Sequence, residues 1–284
     1  PYDRPPLSKD FLAGERSAEE LALRPADWHA EHDVDLVLGE RATGLDTGRR
    51  RLLTASGAEI AYDQLVIATG SRARELPGAH EHANVHTLRT LDDALRLREA
   101  LRPGARLAVL GAGLIGQEVA ATARGRGADV VLIEAEPMPL GRVLHPELAS
   151  WLVDLQRAEG VDVLLGSRVA ALATTGDRLD ALRLADGTSV ELDALLVAIG
   201  VQPNDDWLPE PRAELTARPE IFAAGDVAGL RGVAGQLRAL RVGGAAGRGH
   251  DGQGRAPRGP PYSPRWHAST RHRNDLSRGT ISGR

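Results

Sequence analysis

The sequence predicts an α/β chain in which one parallel-sheet unit is inserted into another, and three observations carry that reading. Arg106-Leu-Ala-Val-Leu-Gly111-Ala-Gly113-Leu-Ile-Gly116 runs an apolar strand into a G-x-G-x-x-G turn. An alanine-rich helical run then leads to Asp129-Val-Val-Leu-Ile-Glu134, a second strand closed by an acid. On either side, Ala68-Thr69-Gly70, Ala198-Ile199-Gly200 with Pro203-Asn204, and Ile221-Phe222-Ala223-Ala224-Gly225-Asp226 each end an apolar strand in small residues and glycine. Singly these are ordinary strand-ending turns; in this order around the glycine motif they are specific.

The central motif has a chemical reading. Gly111 permits the tight turn, Gly113 lets the backbone approach a pyrophosphate, and Gly116 lets helix pack closely on strand. Leu114 and Ile115 open the helix, whose free N–H groups favour phosphate. Glu134 stands where a carboxylate accepts both ribose hydroxyls of an adenosine. With Glu136 nearby and no arginine in the turn, it would repel a 2′-phosphate. A Rossmann-like dinucleotide unit is therefore expected, inserted into a partial second Rossmann-like unit. A plain glycine-rich loop would leave the spacing of Glu134 unexplained.

Taken in order, the proline-rich opening is rigid, and residues 8–11 begin a short helix with Ser8 as N-cap. Residues 34–38, 51–55 and 59–62 alternate as short strands, and 65–68 is a buried strand. A helix over 91–101 leads through Pro103-Gly104 into the glycine motif. Leu148, Trp151, Leu152 and Leu155 fall at helical spacing between Pro146 and Gly160, after which 161–165 continues the parallel sheet. Residues 169–173, 179–184 and 189–192 form an antiparallel meander turning at Asp186-Gly187, and 195–199 returns to the sheet. This places one domain over 84–200, flanked by segments 1–83 and 201–228 of the other.

Composition narrows the function. At 284 residues the chain can bury one large or two ordinary cores, and 42% hydrophobic with 26% charged residues describes a globular chain. No apolar run approaches the roughly 18 to 20 residues that span a bilayer, and no signal peptide opens the sequence, so no membrane partner and a cytoplasmic location are expected. The absence of cysteine removes disulfides, thiolate metal sites and redox-active thiol pairs, so redox chemistry would reside in a bound cofactor; no metal site is expected. The net charge of -4 hides an asymmetry: from Val227 onward eleven arginines face only Asp251 and Asp275.

Together with the opening Pro1-Tyr-Asp-Arg4-Pro-Pro-Leu-Ser-Lys9 and the linking His86-Thr-Leu-Arg89-Thr-Leu-Asp-Asp-Ala94, these motifs resemble the two-dinucleotide-binding flavoprotein family. The likeness is greatest to its ferredoxin reductase branch, NADH-dependent flavoproteins that serve oxygenases and cytochromes P450, and runs from Pro1 to the region of Ala228. It implies FAD and NAD as cofactors, hydride transfer from NADH to FAD, and electron delivery to a ferredoxin or rubredoxin. Around FAD it implies Lys9 beside the flavin ring, the backbone near Ala42 along the adenine, Arg89 on the flavin nucleotide, Asp226 on the ribityl chain, and Thr69, Gly70 and Gly225 close by. Around NAD it implies Gly111, Gly113, Leu114, Ile115, Gly116, Glu118, Glu134, Arg142 and Gly200. Lys9 and Glu118 are the residues expected at the reaction itself, joined in an ion pair because a buried lysine needs a counter-charge. Without the resemblance, Lys9 and Arg89 read as solvated surface charges and Glu118 as an exposed helix glutamate. Lack of cysteine sets the chain apart from the disulfide-reductase branch.

The pattern also departs from that family. The first glycine-rich turn, which holds the FAD pyrophosphate, has no counterpart before Pro1, and the stretch between Trp207 and Ile221 is short. Residues 229–284 are rich in Gly, Arg, Pro and Ser and lack apolar periodicity. The chain is thus expected to be truncated at its N-terminus and to carry a disordered basic tail. That tail is either an out-of-frame reading of a GC-rich gene, which is preferred, or a nucleic-acid-binding arm. Weak or absent FAD binding follows, and the second functional reading is an inactive or NAD-binding-only fragment.

Overall fold

The computed structural model describes residues 1–141, 143–209, 215 and 218–229. Its main sheet has five parallel strands in the spatial order Val85–His86, Ala194–Val197, Arg106–Leu110, Asp129–Ile133, Asp162–Leu164. Every residue of Ala194–Val197 is buried, as are the last four of Arg106–Leu110, the signature of a strand covered on both faces. The strand period of two sorts these side chains. Leu107 and Val109 meet the helices Leu91–Ala100, Leu114–Gly125 and Pro146–Ala158 through Leu97, Val119, Ala120, Ala123 and Val153. Ala108 and Leu110 meet the antiparallel meander Val169–Thr175, Arg178–Leu184, Ser189–Glu191 through Leu179, Leu182 and Val190. Buried Asn84 clasps the meander to the sheet, its amide donating to the Leu179 and Asp193 carbonyls at 2.8 and 3.0 Å while its oxygen accepts from the Leu179 N–H at 2.9 Å.

Around this sheet the pairing is more fragmented. Ala42–Asp46, Arg51–Thr54 and Glu59–Ala61 form a three-stranded antiparallel sheet. Leu65–Ile67 pairs in parallel with Ile221–Ala223, and Ser71–Ala73 pairs antiparallel with Val201–Pro203. A small core of Leu45, Ile67, Leu208, Leu215, Ile221, Ala223 and Val227 unites them.

Two expectations are corrected. Residues 34–38 form no strand, and Val34, Leu36, Val37 and Leu38 are exposed: alternation without a hydrogen-bonded neighbour does not make a strand, and the chain pairs later, at Ala42–Asp46. The helix Pro146–Ala158 forms as its spacing predicts, with Ala149 and Val153 buried and Leu148, Trp151 and Leu155 exposed. Ser8 ends a 3-10 turn, Pro5–Ser8, and the following helix Asp10–Ala13 starts at Lys9 without a side-chain cap. The hydroxyl of Ser8 has another partner, described below. The expected tail lies outside the described residues from 230 onward.

Candidate functional site

The glycine turn is read most directly from what a side chain would meet. A Cβ on Gly116 would lie 1.9 Å from the Gly111 carbonyl oxygen, and one on Gly111 would lie 2.4 Å from that of Ala198. At Gly113 it would meet nothing within 4 Å. Gly111, at φ +104°, and Gly116 are therefore packing requirements, whereas Gly113 borders open space where a ligand backbone can approach. Gly113 caps Leu114–Gly125 without any side-chain bond, so the first-turn N–H groups around Leu114 and Ile115 keep no partner of their own in the helix. Glu134 follows the adjacent strand directly. Its Oε2 accepts the Ala112 N–H at 2.8 Å and its Oε1 the Glu136 N–H at 2.9 Å, which fixes the carboxylate against the turn. Gly200 ends the Ala194–Val197 arm, its carbonyl accepting the Arg74 N–H at 2.9 Å. Arg142 lies outside the described residues.

A second cluster gathers at the ends of the flanking strands. Thr69 Oγ1 donates to the Asn204 carbonyl at 2.7 Å, the Asn204 side-chain amide returns to the Thr69 carbonyl at 2.9 Å, and the Asn204 N–H reaches the Gly70 carbonyl at 3.0 Å. Beside them Ser71 Oγ donates to Asp226 Oδ2 at 2.7 Å, and the Arg89 guanidinium pairs with the same oxygen. Arg89 Nε also reaches the Ser71 carbonyl at 2.9 Å. The Ser71 hydrogen bond, helped by Arg89 and opposed by partial burial, holds the Asp226 carboxyl below its usual range. Gly225 directly precedes Asp226, and the Arg4 guanidinium comes close to Gly70. A cavity of about 870 Å³ opens here, lined by Ala42, Thr43, Thr69, Arg72, Asn204 and Trp207.

Between the clusters, Lys9 Nζ and Glu118 Oε2 form an ion pair at 2.8 Å. The side chains are 47% and 32% exposed, so the pair stands at a half-open junction rather than in the dry interior that the sequence argument assumed. Arg4, Ser8, Ser71 and Asn204 were not singled out from the sequence as site residues. Each adjoins or lies near a chosen motif, and only the fold reveals that their side chains complete it. Among the described residues no three His, Asp or Glu side chains converge as a metal site, and no helix is long and apolar enough to cross a membrane.

A family model for pyridine nucleotide-disulphide oxidoreductases matches residues 1–247. The chain belongs to that family. Within it, the chain is 40% identical over 256 residues to a 5,5'-dehydrodivanillate O-demethylase ferredoxin reductase subunit from Sphingobium sp., covering 85% of this chain and 62% of that one. It is 41% identical over 240 residues to the biphenyl dioxygenase system ferredoxin–NAD(+) reductase component of Paraburkholderia xenovorans, covering 80% of this chain and 58% of the other. The solved covalent complex of putidaredoxin reductase with putidaredoxin superposes at a TM-score of 0.75 with 34% identity, over 80% of this chain and 58% of that one. The chain thus spans about three fifths of the length of these relatives. Although the family name refers to a disulphide, this chain contains no cysteine.

Proposed function

We propose that this chain is the nucleotide-binding part of an NADH-dependent, FAD-containing reductase that passes electrons to a ferredoxin or rubredoxin in the cytoplasm. Residues 84–200 would hold NAD, and 1–83 with 201–228 would hold FAD. The Lys9–Glu118 pair carries this reading, because it joins the segment expected beside the flavin to the helix whose first turn faces the dinucleotide.

The residues fit NAD and the ribityl and adenine ends of FAD. Open space at Gly113 and an uncapped helix start suit a pyrophosphate. Glu134 has each oxygen engaged by one N–H, leaving lone pairs for ribose hydroxyls, while its charge opposes a 2′-phosphate. Asp226 uses only Oδ2 for Ser71 and Arg89, so Oδ1 can accept a hydroxyl of a ribityl chain. The Arg4 and Arg89 guanidiniums supply positive charge beside Gly70, and the cavity at Ala42 and Trp207 accommodates a nucleoside. When bound, FAD would accept one hydride from NADH and release its two electrons singly. The chain would orient the nicotinamide through the glycine turn and Glu134, and hold the Lys9 ammonium at the junction through Glu118.

The test is purification of the chain and its titration with FAD and NADH. A yellow protein whose flavin absorbance bleaches on NADH addition meets the proposal. A colourless protein that still binds NADH sinks it in favour of an NAD-binding fragment, the alternative suggested by the three-fifths coverage of its relatives.

A further inference from the structure

We infer that Ser8 is the positioning residue of the Lys9–Glu118 pair. Its side chain is almost wholly buried, at 5% exposure, between buried Leu7 and Phe11. From there Ser8 Oγ donates to Glu118 Oε2 at 2.5 Å, while its approach to the Pro5 carbonyl is a marginal 3.5 Å. The main-chain oxygen of the same residue accepts the Thr122 hydroxyl at 2.9 Å. Glu118 and Thr122 are one turn apart on one face of Leu114–Gly125, so the helix presents an acceptor and a donor to a serine offering the complement of each.

The next residue, Lys9, reaches the same Oε2 at 2.8 Å from a half-exposed position, with only a 3.3 Å bond to the Pro5 carbonyl as an alternative. An exposed lysine–glutamate pair spends much of its Coulomb gain on holding two flexible side chains in one geometry. A buried hydroxyl on an ionised acceptor makes a short bond, about twice as strong as a neutral one. Ser8 therefore sets where the carboxylate stands, and the carboxylate sets where the ammonium stands. The positioning stands on geometry alone; its consequence for hydride transfer rests on the function proposed above.

Lys9 is the only lysine in the chain, so its amine can be followed by acetylation of the native protein with an N-hydroxysuccinimide ester and peptide mass spectrometry. Ser8→Ala is expected to speed modification of Lys9 by about 3- to 10-fold, toward the rate of Glu118→Gln, whereas Ser8→Thr, which restores the hydroxyl, stays within about twofold of the parent. A parental rate in Ser8→Ala alongside a raised rate in Glu118→Gln overturns the proposal. Should Ser8→Ala not fold, Ser8→Cys keeps the shape with a weak donor; an intermediate rate supports the proposal and a parental one overturns it. In FAD-loaded protein, Ser8→Ala is then expected to lower the limiting rate of flavin reduction while NADH affinity changes less than about twofold. An unchanged limiting rate with Lys9 freed supports the positioning and overturns the reactive role proposed for the pair.

Discussion

Two regions of this chain are held together by different means. In the sheet between Val85 and Val197, the central strands are buried on both faces, with helices on one side and a meander on the other. In the flanking region Glu59–Ala61 is exposed at all three positions, Val66 in the Leu65–Ile67 strand is half exposed, and pairings are only two or three strands wide. Polar contacts bring its parts together: Thr69 with Asn204, Ser71 and Arg89 with Asp226, and Arg218 with the Thr47 carbonyl at 2.9 Å. The first region draws its stability from apolar burial, which tolerates little change in shape. The second adds to its small apolar core hydrogen bonds that include partly exposed groups, which respond to pH and to ligands more than they resist unfolding.

The strongest test of this contrast is a pair of glycine substitutions three residues apart. Gly116→Ala places a methyl 1.9 Å from a backbone oxygen and is expected to cost about 3 kcal/mol or more, read from urea unfolding. Gly113→Ala enters open space, so stability should change by less than about 0.5 kcal/mol while NADH affinity falls about tenfold. Equal stability losses would show that both glycines serve packing. Next in size is Asn84→Ala, which strips side-chain partners from the buried Leu179 N–H and carbonyl and one of two donors from the Asp193 carbonyl, and should cost about 1 to 3 kcal/mol without altering NADH affinity. Glu134→Ala should narrow the preference for NADH over NADPH by about 10- to 100-fold, about 1.4 to 2.7 kcal/mol, in paired binding titrations. No preference in the parent chain would remove Glu134 from that role.

The smaller effects are pH dependences, one on each side of the comparison. Burial first, and the Arg96 charge second, lower the affinity of His86 for a proton. The unfolded chain therefore binds the proton more readily, and stability should fall as pH drops through the ordinary histidine value near 6.5, with a slope of at most about 1.4 kcal/mol per pH unit. His86→Phe should flatten that slope. Asp226, lowered by Ser71, contributes stability that is complete above the ordinary carboxyl range and lost as pH falls through its depressed folded value. Because its side chain is 44% exposed, the contribution should stay under about 1 kcal/mol. Ser71→Ala should move the onset of acid unfolding to higher pH, and an unchanged onset would mean that Arg89 alone holds the carboxylate.

The same contrast governs what could be read in advance. The glycine turn, its two strands, the placement of Glu134 and the helix Leu91–Ala100 are set by residues close in sequence, so pattern and spacing sufficed. Residues 34–38 have strand alternation, but whether a strand forms depends on a neighbour that local pattern does not specify. The pairing of Ser71–Ala73 with Val201–Pro203 and the bonds from Ser71 and Arg89 to Asp226 join distant segments, and nothing in either segment names its partner. The helix Pro146–Ala158 followed from its spacing, but that spacing did not say that Ala149 and Val153, rather than Leu148, Trp151 and Leu155, would be the buried residues.

The contact between Ser8 and Glu118 also has a consequence in time. The two residues are 110 positions apart, and Asp226 follows Ser71 by 155. On a chain growing at roughly 5 to 20 residues per second, Ser8 is made about 6 to 22 s before the carboxylate that receives it. Strands Arg106–Leu110 and Asp129–Ile133, by contrast, are synthesised almost together. Phe11 and Leu12, fully enclosed in the finished fold, thus spend that interval without the helix Leu114–Gly125 that packs against them.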